Sequence, residues 1–147
     1  ETGNNIGMAR ALALGDLQPF GWYKGTTIGF RGILPRKADI NGVLEALGIS
    51  PDECNAILPF GKAENLSVGI ISGGSSRDVS QAIEAGLDLY ISGEADHTIY
   101  HLAQENRINV IAAGHYASET WGVRDMAERV AAETGLETLF IDIPTGL

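Results

Sequence analysis

Residues 66–115 read LSVGIISGGSSRDVSQAIEAGLDLYISGEADHTIYHLAQENRINVIAAGH and decide the fold. Three short apolar runs stand in this stretch, and each leads through a glycine-containing loop into a helical pattern. These runs are Leu66–Ile71, Leu87–Ile91 and Ile108–Ala113. Continuously apolar runs are typical of strands that are buried on both faces of a parallel sheet. A fourth run, Thr138–Ile143, follows the last helical pattern, and we expect Pro144 to end it.

This repeated order of strand, loop and helix predicts an α/β fold, with a mostly parallel or mixed sheet and helices on both faces. The earlier residues are less regular. Apolar positions at helical spacing predict a helix over residues 5–14 that ends at Gly15. Residues 20–34 combine aromatic residues, threonines and glycines, as in two strands joined by a turn. Asp39 is a candidate N-cap for a helix that Gly48 ends.

The length of 147 residues allows one hydrophobic core. We divide the chain into residues 1–65, a partial N-terminal or inserted region, and residues 66–147, a C-terminal α/β lobe. The chain opens on Glu1, close to a helical pattern, without an initiator methionine. We therefore expect a fragment, or a chain whose front part is missing.

The charge balance bears on the class of partner. Ten Lys and Arg stand against 19 Asp and Glu, giving a net charge of −9, whereas nucleic-acid binding needs a basic surface. Small molecules or proteins are therefore the expected partners. No apolar run approaches the roughly 20 residues of a membrane span, so we expect no membrane partner. The single cysteine, Cys54, permits no internal disulfide and favours a cytoplasmic location.

Polar residues follow the three predicted strands of residues 66–115. The first strand leads into Gly73–Ser76, the second into Gly93 and Glu94, and the third into Gly114 and His115. Ligands of open α/β sheets bind at the carboxyl ends of the strands, and glycine permits close backbone approach there. The sequence therefore predicts a functional site at this edge.

His115 and Glu119 stand four residues apart in the stretch AGHYASE, residues 113–119. With a helix that begins near Ala117, an imidazole nitrogen and a carboxylate oxygen could both bind one zinc, manganese or iron ion. The alternative is an ordinary helix start, in which Glu119 complements the helix dipole and His115 packs locally. Two ligands also make an incomplete site.

Other polar residues admit two interpretations each. Glu94 could orient a ligand or act as general acid or base, or it could form a surface salt bridge. His97 and His101 could share a helix face as metal ligands, or they could be solvated. Gly73–Ser76 could bind a phosphate or carboxylate, or form a tight turn with Ser75 or Ser76 as an N-cap. Neither a P-loop nor a G-x-S-x-G pattern is present, and Cys54 lies outside the strand-end clusters.

From about residue 66 to residue 144 the sequence resembles a known family. The segments GGSS, LYISGE, AGHYASE and FIDIP occur in the order and spacing found in the GTP cyclohydrolase 1 type 2 homologues. These proteins are also called NGG-one-interacting-factor-three-like or dinuclear-metal-centre proteins. The opening residues ETGNN resemble the segment just after a family motif of the form L-D-x-H-P.

The resemblance implies a toroidal hexamer of two-lobed α/β subunits, with two divalent metal ions in each subunit. Zinc, manganese and iron are not distinguished. The family's ligands are an early His-His pair, the Asp of L-D-x-H-P, and the His and Glu of G-H-x-x-[ST]-E. Only the last two have counterparts here, His115 and Glu119, and we expect the others to precede Glu1. This chain alone is therefore expected to bind metal weakly or not at all.

The resemblance also assigns roles to the neighbouring loops. It places Gly73, Gly74, Ser75, Ser76 and Glu94 near a substrate, as supporting residues rather than metal ligands. Glu94 is the candidate catalytic residue among them, whereas His97 and His101 match no family metal position. The first functional hypothesis is a metal-dependent hydrolase acting on a nucleotide-like or phosphorylated small molecule. The alternative is a non-enzymatic, metal-binding oligomeric adaptor.

Overall fold

The computed structural model describes residues 2–145, which form six strands and six α-helices. The strands are β1 (Gly15–Tyr23), β2 (Thr26–Ala38), β3 (Ala56–Pro59), β4 (Asn65–Ile70), β5 (Leu89–Ser92) and β6 (Asn109–Ala112). The helices are α1 (Asn4–Ala11), α2 (Ile40–Leu47), α3 (Val79–Glu84), α4 (Ile99–Glu105), α5 (His115–Glu119) and α6 (Trp121–Thr134). The strands form one mixed sheet in the order β1-β2-β4-β5-β6-β3.

The centre of the sheet is the parallel set β4, β5 and β6, which confirms the first three predicted apolar strands. Their register places Ile70, Ile91 and Ile111 side by side. All residues of β5 and β6 are buried, as continuous apolar runs predict. Parallel pairing brings the carboxyl ends of these strands to one edge of the sheet.

Successive side chains of a strand point to opposite sides of the sheet, so the wholly buried strands β5 and β6 need cover on both faces. Helices provide this cover. On one face, Ile91 packs in a cluster with Met8 of α1 and Leu44 of α2. On the other face, Tyr90 packs with Val79 of α3 and Ile99 of α4. The predicted α/β architecture is confirmed. None of the helices in residues 2–145 is long and apolar enough to cross a bilayer.

Antiparallel strands flank the parallel centre. β1 and β2 form the predicted hairpin, and Lys24 and Gly25 at its tip both have positive φ, as a twisted two-residue turn requires. At the other side of the sheet, β3 pairs antiparallel with β6 and forms the edge strand. The sequence did not indicate this strand. Strands from residues 1–65 and from residues 66–145 therefore share one sheet.

Helix α2 begins and ends where the sequence predicts. The Asp39 side chain accepts a hydrogen bond from the Gly42 backbone N–H at 2.8 Å, a contact that stabilises a helix by about 1 kcal/mol. Gly48 ends the helix in the left-handed conformation, with φ of 66°. In contrast, α1 ends at Ala11 rather than at residue 14, and Ala13 has φ of 49°.

The fourth predicted strand is wrong, since residues 138–143 form no strand. The sheet position beside β6, where a fourth parallel strand would pair, is taken by β3, so this segment does not continue the parallel set. The segment instead crosses α5, where the Tyr116 hydroxyl donates to Asp142 at 2.7 Å and accepts from the Ile143 N–H at 3.0 Å. Pro144 therefore ends no strand.

Candidate metal centre

The three glycine-containing loops meet at the carboxyl edge of the parallel strands. The Gly93 N–H donates to the Gly73 carbonyl at 3.0 Å, and the Gly114 N–H donates to the Gly93 carbonyl at 2.9 Å. These bonds continue the sheet laterally beyond the ends of the strands. The predicted convergence of the loops is therefore present.

Ser118 ties α5 to the loop after β4. Its hydroxyl is buried, accepts from the Gly73 N–H at 3.1 Å and donates to the His115 carbonyl at 3.0 Å. The helix begins at His115 rather than near Ala117 and ends at Glu119. His115 and Glu119 are thus its first and last residues, and a spacing of four places them on the same side.

The side chains of Glu94, His115 and Glu119 form one cluster. Nδ1 of His115 lies 2.5 Å from Oε1 of Glu94, and Nε2 lies 3.4 Å from Oε2 of Glu119. The three side chains are 49, 43 and 45% exposed, respectively, so the cluster is open to solvent. One cation with metal–ligand distances of about 2.1 Å can bridge a gap of 3.4 Å.

Two carboxylates beside one imidazole favour positive charge on the ring. The hydrogen bond to Glu94 raises the pKa of His115 above its usual range; partial desolvation opposes this, and the charge of Glu119 adds to it. A proton on Nε2 and a cation there compete for the same lone pair. The two carboxylates therefore favour a proton on the ring, and a cation at Nε2 would have to displace that proton.

Glycine leaves room for these side chains. Gly73 has φ of +68°, and a Cβ at this position would lie 2.5 Å from Oε1 of Glu119 and 3.4 Å from Nε2 of His115. A Cβ at Gly93 would lie 2.7 Å from the Ser118 Oγ and 2.8 Å from the Gly73 carbonyl oxygen. Close backbone approach, the reason for expecting glycine at these strand ends, is thus observed at Gly73 and Gly93.

The serines of the first loop bond within the protein. The Ser75 hydroxyl donates to the Ile71 carbonyl at 2.6 Å, and the buried Tyr90 hydroxyl donates to the Ser75 carbonyl at 2.7 Å. The Ser76 hydroxyl accepts from the Asp96 N–H at 2.6 Å. Neither serine caps a helix through its side chain. A substrate role for this loop, which stays a prediction, would fall to the backbone of Gly73 and Gly74.

The remaining candidates lie apart from the cluster. His97 precedes α4, His101 lies within it, and both are exposed. Cys54 is partly buried, and this burial raises the pKa of its thiol above the usual range. Among residues 2–145 there is no group of three or more His, Cys, Asp or Glu side chains arranged to hold a metal ion. His115 and Glu119 thus supply a donor set of the right chemistry but an incomplete site.

A cavity of about 600 Å³ adjoins the cluster. One wall is polar, with Glu94, His115 and Glu119, and the other is largely apolar, with Phe140 and Ile143. Sequence reasoning missed the apolar wall because it assigned residues 138–143 to the sheet. Within this segment Phe140 contacts Arg124 of α6 and Asp142 contacts Tyr116 of α5, whereas Leu139, Ile141 and Ile143 remain largely exposed.

Comparison with known proteins identifies the family. Residues 1–146 match the Duf34/NIF3 (NGG1p interacting factor 3) family. The GTP cyclohydrolase 1 type 2 homolog of Archaeoglobus fulgidus is 40% identical over 147 residues, which cover 100% of this chain and 58% of the relative. The homolog of Treponema pallidum is 36% identical, over 99% of this chain and 62% of the relative. The chain thus spans about three fifths of these relatives' length.

Solved structures agree with the sequence comparisons. The protein ybgI, of unknown function, superposes with a TM-score of 0.85 and 26% identity, over 100% of this chain and 58% of ybgI. TTHA1606 from Thermus thermophilus superposes with a TM-score of 0.79 and 33% identity, over 100% of this chain and 57% of TTHA1606. The resemblance seen in the sequence is confirmed, and this chain belongs to the Duf34/NIF3 family.

Proposed function

We propose that this chain supplies His115 and Glu119 to a centre of two divalent metal ions. The centre would serve a metal-dependent hydrolase acting on a nucleotide-like or phosphorylated small molecule. The observation that carries the proposal is the 3.4 Å approach of the imidazole Nε2 to the Glu119 carboxylate at the edge where three strand ends meet. Ligands beyond these two would come from polypeptide outside residues 2–145.

The chemistry of the donor set supports this proposal. One imidazole nitrogen and one carboxylate oxygen suit zinc, manganese or iron, whereas calcium and magnesium prefer oxygen ligands alone. When bound, such ions supply Lewis-acid activation of water and of phosphoryl oxygens. His115 and Glu119 would hold the ions, and the Gly73 and Gly74 backbone would lie against the substrate.

The adjoining cavity supports a small-molecule substrate. Its volume of about 600 Å³ lies within the usual range of ligand sites, about 300–1,000 Å³. The polar wall fits the charged part of a molecule, and the apolar wall near Phe140 fits a flat ring. The Arg124 guanidinium carbon lies 3.9 Å from the centre of the Phe140 ring, which places a cation beside this wall.

The test measures metal content and turnover of the full-length gene product that contains this chain. Mass spectrometry would count zinc, manganese and iron, and a panel of nucleoside triphosphates, GTP included, and phosphoesters would be assayed. We expect His115→Ala and Glu119→Ala to lose metal and to lower turnover by about 100-fold or more, the scale for a lost electrostatic contact in a transition state.

Matched controls remove the same groups elsewhere. His101→Ala and Glu105→Ala lie on α4, outside the cluster, and should keep both metal content and turnover. Equal metal content in His115→Ala and His101→Ala would contradict the metal centre. Metal bound with no turnover on any member of the panel would contradict the hydrolase.

The second candidate is a metal-binding adaptor without catalytic activity, in a six-membered ring by the same resemblance. It is favoured by the surface of α6, which buries none of its residues and leaves Val123 59% and Met126 49% exposed. Exposed apolar patches of this kind mark interaction sites. Turnover separates the two candidates, and sedimentation of the full-length product would test the ring. We also propose that the protein is cytoplasmic.

A further inference from the structure

We propose that Glu94 is a positioning residue that accepts a hydrogen bond from Nδ1 of His115 and so leaves Nε2 free to bind a cation together with Glu119. This inference rests on the metal centre proposed above. It gives Glu94 a role distinct from that of a ligand or a general base.

The two ring nitrogens of His115 face different carboxylates. Glu94 lies at 2.5 Å from Nδ1, whereas Glu119 lies at 3.4 Å from Nε2. A neutral imidazole has one donor nitrogen and one acceptor nitrogen, and an ionised carboxylate can only accept. The closer contact therefore selects the form with hydrogen on Nδ1. The lone pair then stays on Nε2, on the side of Glu119.

The main chain of Glu94 is held in place. Its carbonyl accepts a hydrogen bond from the Ser92 hydroxyl at 2.6 Å, and Ser92 is fully buried. The preceding residue, Gly93, is bonded on one side to Gly73 and on the other to Gly114. Glu94 thus extends from a fixed point of the loop after β5 towards the start of α5.

In the described part of the chain, the Glu94 carboxylate has one side-chain partner. Among residues 2–145, His115 is the only side chain that forms a hydrogen bond or ion pair with it. Gly74 lies beneath it, where an added Cβ would be 3.6 Å from Oε2, an ordinary contact. Histidines that bind metal commonly donate their second ring N–H to a carboxylate, which fixes the orientation of the ring. The Glu94–His115 pair has this arrangement.

The test reads the ring directly, in the metal-free chain. The chain has three histidines, so nitrogen and carbon NMR shifts of the rings can be assigned with His115→Ala as reference. At alkaline pH, where the ring is neutral, we expect hydrogen on Nδ1 of His115. Glu94→Ala should shift His115 to a mixture of both forms, whereas Glu94→Gln, whose amide oxygen still accepts, should retain much of the Nδ1–H form. Glu105→Ala, which removes an exposed carboxylate from α4, should change nothing.

A second measurement uses Zn²⁺ alone and the full-length gene product that contains this chain. We expect Glu94→Ala to weaken Zn²⁺ binding by about 10- to 100-fold, the usual loss on removing such a partner, with Glu94→Gln in between. An unchanged ring form in Glu94→Ala would overturn the positioning role, whatever the affinity. Failure of the unaltered full-length gene product to bind Zn²⁺, with the ring form still dependent on Glu94, would count against the metal centre and leave the positioning role standing.

Discussion

The candidate metal centre has two walls of different construction. The first wall, formed by the strand-end loops and α5, is joined to the sheet by backbone hydrogen bonds between glycines and by the buried Ser118. The second wall is formed by residues 138–145, in which Leu139 is 82% and Ile141 68% exposed. Tyr116 and Arg124 hold it through Asp142. The comparison shows that the residues that would bind metal are anchored to the core, whereas the residues beside them lie on the surface.

The largest expected effect comes from emptying the core beneath the first wall. Ile91→Ala removes a side chain that is 0% exposed, and we expect it to destabilise the fold by about 2–5 kcal/mol. Ile141→Ala makes the same truncation in the second wall, where we expect a change within about 0.5 kcal/mol. Urea unfolding measures both. Equal costs would show that the two walls are equally integrated into the core.

The second effect separates backbone strain from crowding at the centre. Gly73 and Gly48 have nearly equal φ, 68° and 66°, but an added Cβ meets Glu119 at Gly73 and nothing within 4 Å at Gly48. Each Gly→Ala should cost about 1–2 kcal/mol, the penalty for a left-handed residue, since the Glu119 carboxylate can swing aside. Only Gly73→Ala should weaken Zn²⁺ binding by the full-length gene product. Equal Zn²⁺ affinities in the two variants would show that Glu119 does not need the space above Gly73.

The third effect lies at the end of β5 remote from the centre. Asp88 accepts hydrogen bonds from Lys62 and from the backbone of Ser67 and Leu66. Desolvation by burial alone would raise the pKa of Asp88, but these hydrogen bonds outweigh it and lower the pKa to about 2. A carboxylate with a lowered folded-state pKa stabilises the fold above its unfolded value near 3.8 and loses that contribution as pH falls towards 2.

We therefore expect Asp88→Asn to destabilise the fold by about 1–2 kcal/mol at neutral pH. We also expect it to reduce the loss of stability between about pH 4 and pH 2. Unfolding midpoints across this range measure the effect. Asp52→Asn, at an exposed carboxylate, is the control. If the unfolding midpoint of Asp88→Asn depended on pH as in the unaltered chain, other carboxylates would govern acid unfolding.

The smallest effect concerns the second wall alone. Tyr116→Phe removes the hydroxyl that bonds Asp142 and the Ile143 N–H, so we expect faster hydrogen exchange at Ile143 with little change in the unfolding midpoint. Tyr23→Phe removes an exposed hydroxyl on the hairpin as the control. Unchanged exchange at Ile143 would show that other contacts hold the segment.

The carboxyl edge of the sheet could be predicted from sequence because its signals are local. Each apolar run is followed at once by glycine and a polar residue, and parallel pairing then requires Gly73, Gly93 and Gly114 to meet. The contact between Glu94 and His115 could not be predicted in the same way. Adjacent strand ends bring the two residues near, but side-chain torsions decide which ring nitrogen is bonded.

The second wall shows where sequence patterns fail. Residues 138–143 have the composition of a buried strand, but composition does not reveal whether a sheet edge is vacant. The short strand β3, with four residues and no clear alternation, takes that edge. The assignment of residues 138–143 thus depended on a strand much earlier in the chain, which local spacing cannot indicate.

The hydrogen bonds from Gly93 to Gly73 and from Gly114 to Gly93 involve only main-chain atoms. Lateral spacing between paired strands is about 4.8 Å whatever side chains they carry. The span from the first loop to α5 is therefore a property of the sheet itself. Replacing Glu94, His115 or Glu119 would alter which chemical groups stand at the edge while leaving the distance between their points of attachment unchanged.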